Sequence, residues 1–253
     1  MNVKKIIWSA MVSCCLLFPA AVQAEGWDTE LQLYVLGTHI EGDAAIGRAQ
    51  GVPVDVDMDK ILETLNMAAM VHLETVHQSG WGMALDYSFM DLEDDISGPQ
   101  GGVLDANVRQ GVFEADLLYR TPMGKGTVDY LAGIRWWDND FDVTVNSLAL
   151  PGPASADREV DWVDVFVGAR LITPVSEKWE FRLRGDIGGF GLEADFTGCL
   201  YGNMRWLITD NWALDVGYKA LWVDYEEGTE GQRGYFAYDT VTHGPLVGVI
   251  YKF

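Results

Sequence analysis

Basic residues and cysteines are scarce in this sequence, and long apolar runs are confined to its first two dozen residues. Lys and Arg number 17 against 38 Asp and Glu, a formal charge of −21. Such a surface repels polyanions, which excludes nucleic acid as a partner. Cysteine occurs three times, and Cys14 and Cys15 fall in the N-terminal apolar stretch. Cys199 is the one thiol of the remaining chain, so no intramolecular disulfide can form there. His39, His72, His77 and His243 are not clustered at metal-ligand spacing, and neither a metal centre nor a cofactor is expected. Beyond residue 24, nothing approaches the ~20 consecutive apolar residues of a membrane helix.

What is present reads as an exported chain of strands. Lys4 and Lys5 precede an apolar stretch from Ile6 to about Ala21, and Val22-Gln23-Ala24 supplies small residues for cleavage. That is the pattern of a secretory signal peptide over 1–24, leaving 25–253 as one domain. Its removal takes two bases and no acid, so the remainder carries 15 bases against 38 acids. The 28 Gly and the 10 each of Trp, Tyr and Phe favour strands and turns over helices.

The hydrophobic period is two. Leu31, Leu33 and Val35 alternate with Glu30, Gln32 and Tyr34, and Trp81, Met83, Leu85, Tyr87 and Phe89 alternate with Gly82, Ala84, Asp86 and Ser88. The same pattern recurs around 113–119, 130–136, 163–171, 181–187, 199–206, 214–222 and 244–253, and more weakly over 67–76. The runs approach or reach the ~10 residues a tilted strand needs to cross a bilayer. Ten such runs, with eight or twelve as alternatives, predict an all-β fold: a closed antiparallel transmembrane β-barrel. Alternate gaps differ in length. Those at 41–65, 92–107, 138–161, 188–195 and 225–240 are long, whereas those after His77, Thr121, Thr173 and Thr209 are short and rich in turn residues.

Tryptophan supports the same reading. Trp27, Trp81, Trp136, Trp179, Trp206, Trp212 and Trp222 share the apolar parity, mostly at strand ends, as two aromatic girdles would require. The last strand ends on Val249, Tyr251 and Phe253, an apolar alternating terminus of the kind the outer-membrane barrel-assembly machinery engages. Lipid and lipopolysaccharide are the partners expected for the outward face.

The inward face carries charge of both signs. The acids are Glu30, Glu74, Asp86, Glu114, Asp116, Asp129, Asp164, Asp186 and Asp215, and the bases are Arg135, Arg170, Arg182, Arg184, Arg205, Lys219 and Lys252. A barrel of about ten strands is barely wider than its own side chains. These groups are expected to pair and plug the lumen rather than to line a pore, with Trp and Phe directed at lipid.

Candidate chemistry is thin. Asp57 can cap a short helix over 55–65 in the first long loop, with Ile61, Leu62 and Leu65 on one face, folding into or across the barrel mouth. Asp55-Val56-Asp57-Met58-Asp59 and Asp138-Asn139-Asp140-Phe141-Asp142 space carboxylates as calcium loops do, but lack the glycine and the closing Glu. Both are read as solvated acidic loops able to hold divalent cations weakly. His72, Asp86 and Ser88 share the lumen face, and His39 and His243 meet at the rim on closure, near Asp43 and Asp239. Both groups are read as structural before catalytic, and no enzyme is expected.

The stretch Arg184-Gly185-Asp186-Ile187-Gly188-Gly189-Phe190-Gly191, with Asp195-Phe196-Thr197, Gly217-Tyr218-Lys219-Ala220-Leu221 and Asp224-Tyr225, resembles a group of small outer-membrane β-barrel proteins of Gram-negative bacteria. Trp162-Val163-Asp164 and Val167-Gly168-Ala169-Arg170 extend the resemblance, which covers the chain from about Leu62 onward. It implies an architecture similar to the OmpA transmembrane domain and OmpW, without an OmpA-like peptidoglycan tether. It carries no assigned activity. The expectation is an outer-membrane barrel with a structural or narrow small-solute role. An outer-membrane enzyme, lipid-modifying or protease-like, and an adhesin binding through acidic loops are the alternatives.

Overall fold

The computed structural model describes residues 25–46, 49–56, 59, 65–97, 103–146, 154–232 and 234–253. The expected leader over 1–24 lies outside them. Twelve strands are formed: β1 (Trp27–Leu36), β2 (His39–Ile46), β3 (Ala49–Val56), β4 (Leu65–His77), β5 (Trp81–Ser97), β6 (Val103–Met123), β7 (Gly126–Asn146), β8 (Ala154–Ser176), β9 (Trp179–Gly189), β10 (Ala194–Leu207), β11 (Trp212–Glu227) and β12 (Phe236–Lys252).

β1 and β2 are two parts of one stave. Both pair with β12, from Glu30↔Lys252 to Leu36↔Leu246 and then from His39↔His243 to Ile46↔Phe236. Across the short break the Gly37 amide donates to the Pro245 carbonyl at 2.8 Å. That stave and β4 to β12 close a ten-stranded antiparallel barrel through the β1–β12 seam, and β3 is an extra strand hydrogen-bonded to the upper part of the stave, β2. All ten expected runs are staves of this barrel. Among the described residues, the lower part of each stave is paired on both sides, the condition for crossing a bilayer with strands.

The strands are longer than the alternation suggested. β6 and β7 have 21 residues each and β8 has 23, about twice what a bilayer crossing takes. The connections on one rim are tight, down to Gly124-Lys125 between β6 and β7, with Gly124 at φ 61°. The excess therefore projects from the opposite rim. Residues expected in long loops at 92–107 and 138–161 belong largely to these extensions, and 41–46 and 49–56 belong to β2 and β3. Of the expected 55–65 helix, Asp55 and Val56 end β3, Asp59 is helical, and 57–58 and 60–64 lie outside the described residues.

Along β7 and β8 the parity is constant, but the polarity is not. On β8, Val163, Val165 and Val167 face outward and are exposed, whereas Asp164, Phe166 and Arg170 face inward and are buried. Two residues toward the projecting end the assignment reverses: Asp161 and Glu159 are outward and exposed, Trp162 and Val160 inward and buried. β7 does the same, from outward Tyr130 and Ile134 with inward Asp129 and Arg135, to outward Asp138 and Asp140 with inward Trp137. The lower half is an inside-out protein and the upper half an ordinary one. The reversal falls at Trp136 and Trp222, the far aromatic girdle. From Trp212 to Trp222 along β11 is ~33 Å of strand, or ~25 Å of height at a barrel's tilt, which matches an outer-membrane apolar band.

The girdles themselves are as expected. Trp27, Trp81, Trp179, Trp206 and Trp212 stand outward beside the tight turns, where Trp179 stacks on Trp206 at 6.0 Å and Trp81 meets Tyr119 at 5.0 Å. Trp222 is exposed and Trp136 half-buried at the other level. Tyr251 contacts both Trp212 and Phe253, each within 5.0 Å, and the Phe253 amide donates to the Thr29 carbonyl at 3.0 Å, so the terminal Val249, Tyr251 and Phe253 are built into the outward face.

Candidate functional site

Three clusters of ion pairs and one stack of rings occupy the bore. Nearest the tight-turn rim, Arg205 binds Glu30 at 2.7 Å and Asp215 at 2.8 Å, while Arg182 reaches Glu30 at 3.3 Å. Beside them Arg170 bridges Glu74 and Asp129, both at 2.6 Å. Arg120 joins the same two carboxylates at 3.1 and 2.7 Å. Above, Arg135 lies between Glu114 and Asp186, each at 2.9 Å, and Arg184 binds Glu114 at 2.9 Å and Asp186 at 3.1 Å, with Asp116 at 3.6 Å. Phe166 projects into this cluster, its ring 4.9 Å from the Arg135 guanidinium and 5.5 Å from that of Arg184. Thr197 accepts a further hydrogen bond from Arg135 at 2.9 Å and donates to the Trp222 carbonyl.

The local sequence explains this density. Successive inward positions on one strand are two residues apart, and those on neighbouring strands are opposite, so Glu114, Arg135 and Asp164 line up across β6, β7 and β8. Inward glycines make room between them. A Cβ on Gly168 would lie 2.5 Å from the Gly185 carbonyl oxygen and 2.6 Å from the Asp186 Cβ, so the strands approach there only because the side chain is absent. Desolvation of so many charges is costly, and only mutual pairing with several hydrogen bonds per guanidinium offsets it.

A smaller polar group lies between the clusters. His72 is 3.1 Å from Asp86, which also accepts from Tyr34 at 2.8 Å, with Lys219 at 3.9 Å. The expected proximity of His72 and Asp86 is therefore present. Ser88 is paired with Met70 and lines a separate cavity of about 40 Å³. The cavity by His72 is about 50 Å³, room for a few waters. Below the clusters, at the tight-turn rim, a vestibule of about 530 Å³ opens among Asp28, Glu74, Arg120, Arg182 and Lys252.

Above the charge, the bore is filled by rings. Trp137, Trp162 and Tyr225 form a column, with ring separations of 5.4 and 4.0 Å and planes within 14° of parallel. Phe236 and Tyr238 pack alongside, with Phe141 against both. Gln110, bonded to Asn139 at 3.0 Å and Tyr238 at 3.3 Å, marks the boundary between the polar and aromatic layers.

Every charged residue predicted inward is placed in the bore or at its rim, and all but Asp164 and Lys252 take part in the ion pairs described above. Asp164 instead accepts from the Trp162 indole at 3.0 Å and the Ala194 amide at 3.1 Å, tying the aromatic column to β10. Arg120 was not predicted, because β6 was expected to end at Tyr119; continued parity through Pro122 would have placed it inward. The expectation that Trp and Phe face lipid fails for Trp137, Trp162 and Phe166, all at most 1% exposed. Asp138 to Asp142 is not a loop but part of β7, and Asp140 is held by Arg109 at 2.5 Å.

One cluster lies outside the bore. His39 and His243, opposite one another on β2 and β12, stack at 5.0 Å. The carboxylate they share is Glu41, not Asp43 or Asp239: its oxygens are 3.9 Å from His39 Nε2 and 3.4 Å from His243 Nε2. Tyr218 Oη is 2.5 Å from His243 Nδ1.

No known protein family matches the sequence, and no curated protein matches it either. Solved structures do share the fold. The outer membrane protease OmpT from Escherichia coli is 10% identical, aligned over 92% of this chain and 100% of its own, with a TM-score of 0.52. The translocator domain of the autotransporter NalP from Neisseria meningitidis is 11% identical, aligned over 99% and 98%, also with a TM-score of 0.52. At these identities the likeness is one of barrel architecture. The protein thus has the fold of outer-membrane β-barrels.

Proposed function

We propose that the protein is an integral outer-membrane barrel that does not conduct solutes and works through its surface, the projecting rim above all. The observation that carries this reading is the double seal: buried Arg135 clamped between Glu114 and Asp186, and the Trp137–Trp162–Tyr225 column above it. The cavities of about 50 and 40 Å³ in the bore, beside His72 and beside Ser88, have room for water but not for a small solute. The outward apolar band takes outer-membrane lipid as its surroundings, and lipopolysaccharide at the level of Trp136 and Trp222. Val249, Tyr251 and Phe253 serve as the handle for the barrel-assembly machinery. The projecting rim faces the exterior, its outward carboxylates Asp138, Glu159 and Asp161 in water. The role is structural or adhesive and not enzymatic.

Planar-bilayer recording of the purified, heat-modifiable protein tests this. Absence of stepwise current is expected from the wild type, with current appearing only when both seals are cut, as in R135A combined with W137A and W162A. Discrete steps from the wild type would refute it.

A further inference from the structure

We propose that His39, Glu41 and His243 form a binding site for one divalent transition-metal ion of the zinc type, on the outer face of the barrel at its upper girdle. Strand geometry builds the site from three positions distant in sequence. His39 and Glu41 are two residues apart on β2 and so share a face, and β12 presents His243 directly opposite His39. One ligand atom from each of the three lies within 4.8 Å of the others, with both Nε2 atoms turned toward the carboxylate.

Zinc held at ~2.0–2.1 Å by nitrogen and ~2.0–2.2 Å by oxygen spaces its tetrahedral ligands ~3.3 Å apart. The 3.4 and 3.9 Å separations run to the two different oxygens of Glu41, and all three ligand atoms lie within 4.8 Å of one another, so closing the site to ~3.3 Å takes side-chain movements of up to about 1.5 Å. Tyr218 supplies the supporting contact that metal-ligating histidines usually have. Its hydroxyl engages Nδ1 of His243 and so fixes the ring with Nε2 toward the ion. Two imidazoles and one carboxylate favour zinc, copper or nickel over calcium or magnesium, which prefer all-oxygen shells.

The placement fits a cation in two further ways. Val241 pairs with both Glu41 and Trp222, which sets the carboxylate at the girdle, where Glu41 is 55% exposed and open to water. Three protein ligands leave a fourth position, filled by water. The ion would also join β2 to β12 just beyond the Gly37-Thr38 break, where the first stave is interrupted, and so stabilise the closed barrel by binding the folded form alone.

Isothermal titration of the refolded full chain in detergent micelles with zinc chloride, in chelator-free buffer, decides the matter. Cobalt(II) absorption serves as a second readout, since low-coordinate cobalt has intense visible bands. One equivalent of zinc should bind saturably, with affinity lost in H39A and H243A and reduced about 10-fold or more in Y218F. Each variant is first checked for the heat-dependent gel shift of the folded barrel. Should either histidine variant fail that check, E41Q replaces it, and the same loss of zinc affinity is expected. No saturable binding by the wild type, or binding unchanged in every folded variant, overturns the proposal.

Discussion

The lower and upper halves of the same strands are built on opposite rules, and the contrast shows what decides each. Below Trp136 and Trp222, in the proposed membrane placement, the surroundings are apolar, so valines and tyrosines point out and charges are driven into a narrow bore, where they survive only in pairs. Above that level the surroundings are water, so acids point out and the bore fills with indoles, as in any soluble core. β8 makes the point in seven residues: Val165 and Val163 outward and Asp164 inward, then Asp161 and Glu159 outward and Trp162 and Val160 inward. The backbone is indifferent to the change; only the solvent on each side has altered.

The comparison breaks most readily at Arg135. R135A leaves Glu114 and Asp186 with less compensation in a dry bore, and a loss of about 3–5 kcal/mol is expected for removing one partner of buried pairs. Urea titration of the heat-modifiable band measures it. W162A in the upper half should cost about 3 kcal/mol through a cavity instead. Added salt should restore neither loss, because neither group faces bulk ions.

Outward positions of β8 provide a finer contrast. V167K, outward and near the middle of the apolar band, should cost about 2–4 kcal/mol, whereas E159K, same parity and same strand, should fall within about 0.5 kcal/mol of wild type. Equal costs at the two positions would mean that the polarity reversal does not mark the membrane boundary. The smallest effect concerns Asp224, just above Trp222 and directly opposite Asp239. Burial, with Asp239, Asp195 and Glu226 near it, raises its pKa above the ordinary aspartate range. A raised acid pKa means that the charged form opposes folding, so D224N should raise the unfolding midpoint at neutral pH. That gain should shrink as pH falls through the folded pKa and Asp224 itself becomes neutral.

The lower half was legible in the sequence and the upper half was not, for one physical reason. Alternation with apolar residues outward identified all ten staves and placed Asp86, Glu114, Arg135, Arg170, Arg184, Arg205 and Asp215 in the bore. Where polarity reverses, the same parity test reads as a strand ending. Asp138 to Asp142 therefore resembled an acidic loop, and Trp137 and Trp162 were expected to face lipid rather than the bore. Arg120 was lost to a strand end set too early at Tyr119. The meeting of His39 and His243 followed from closure of the first strand on the last, but Glu41 between them required the register of β2 on β12.

Spin labels placed one at a time at outward positions of β7, with the buried Cys199 replaced by Ala, test the reversal most directly. In reconstituted bilayers, labels at 132 and 134 should be accessible to oxygen and shielded from a polar nickel chelate, and labels at 138 and 140 should show the opposite. A single accessibility pattern along 132–140 would contradict a membrane boundary at Trp136.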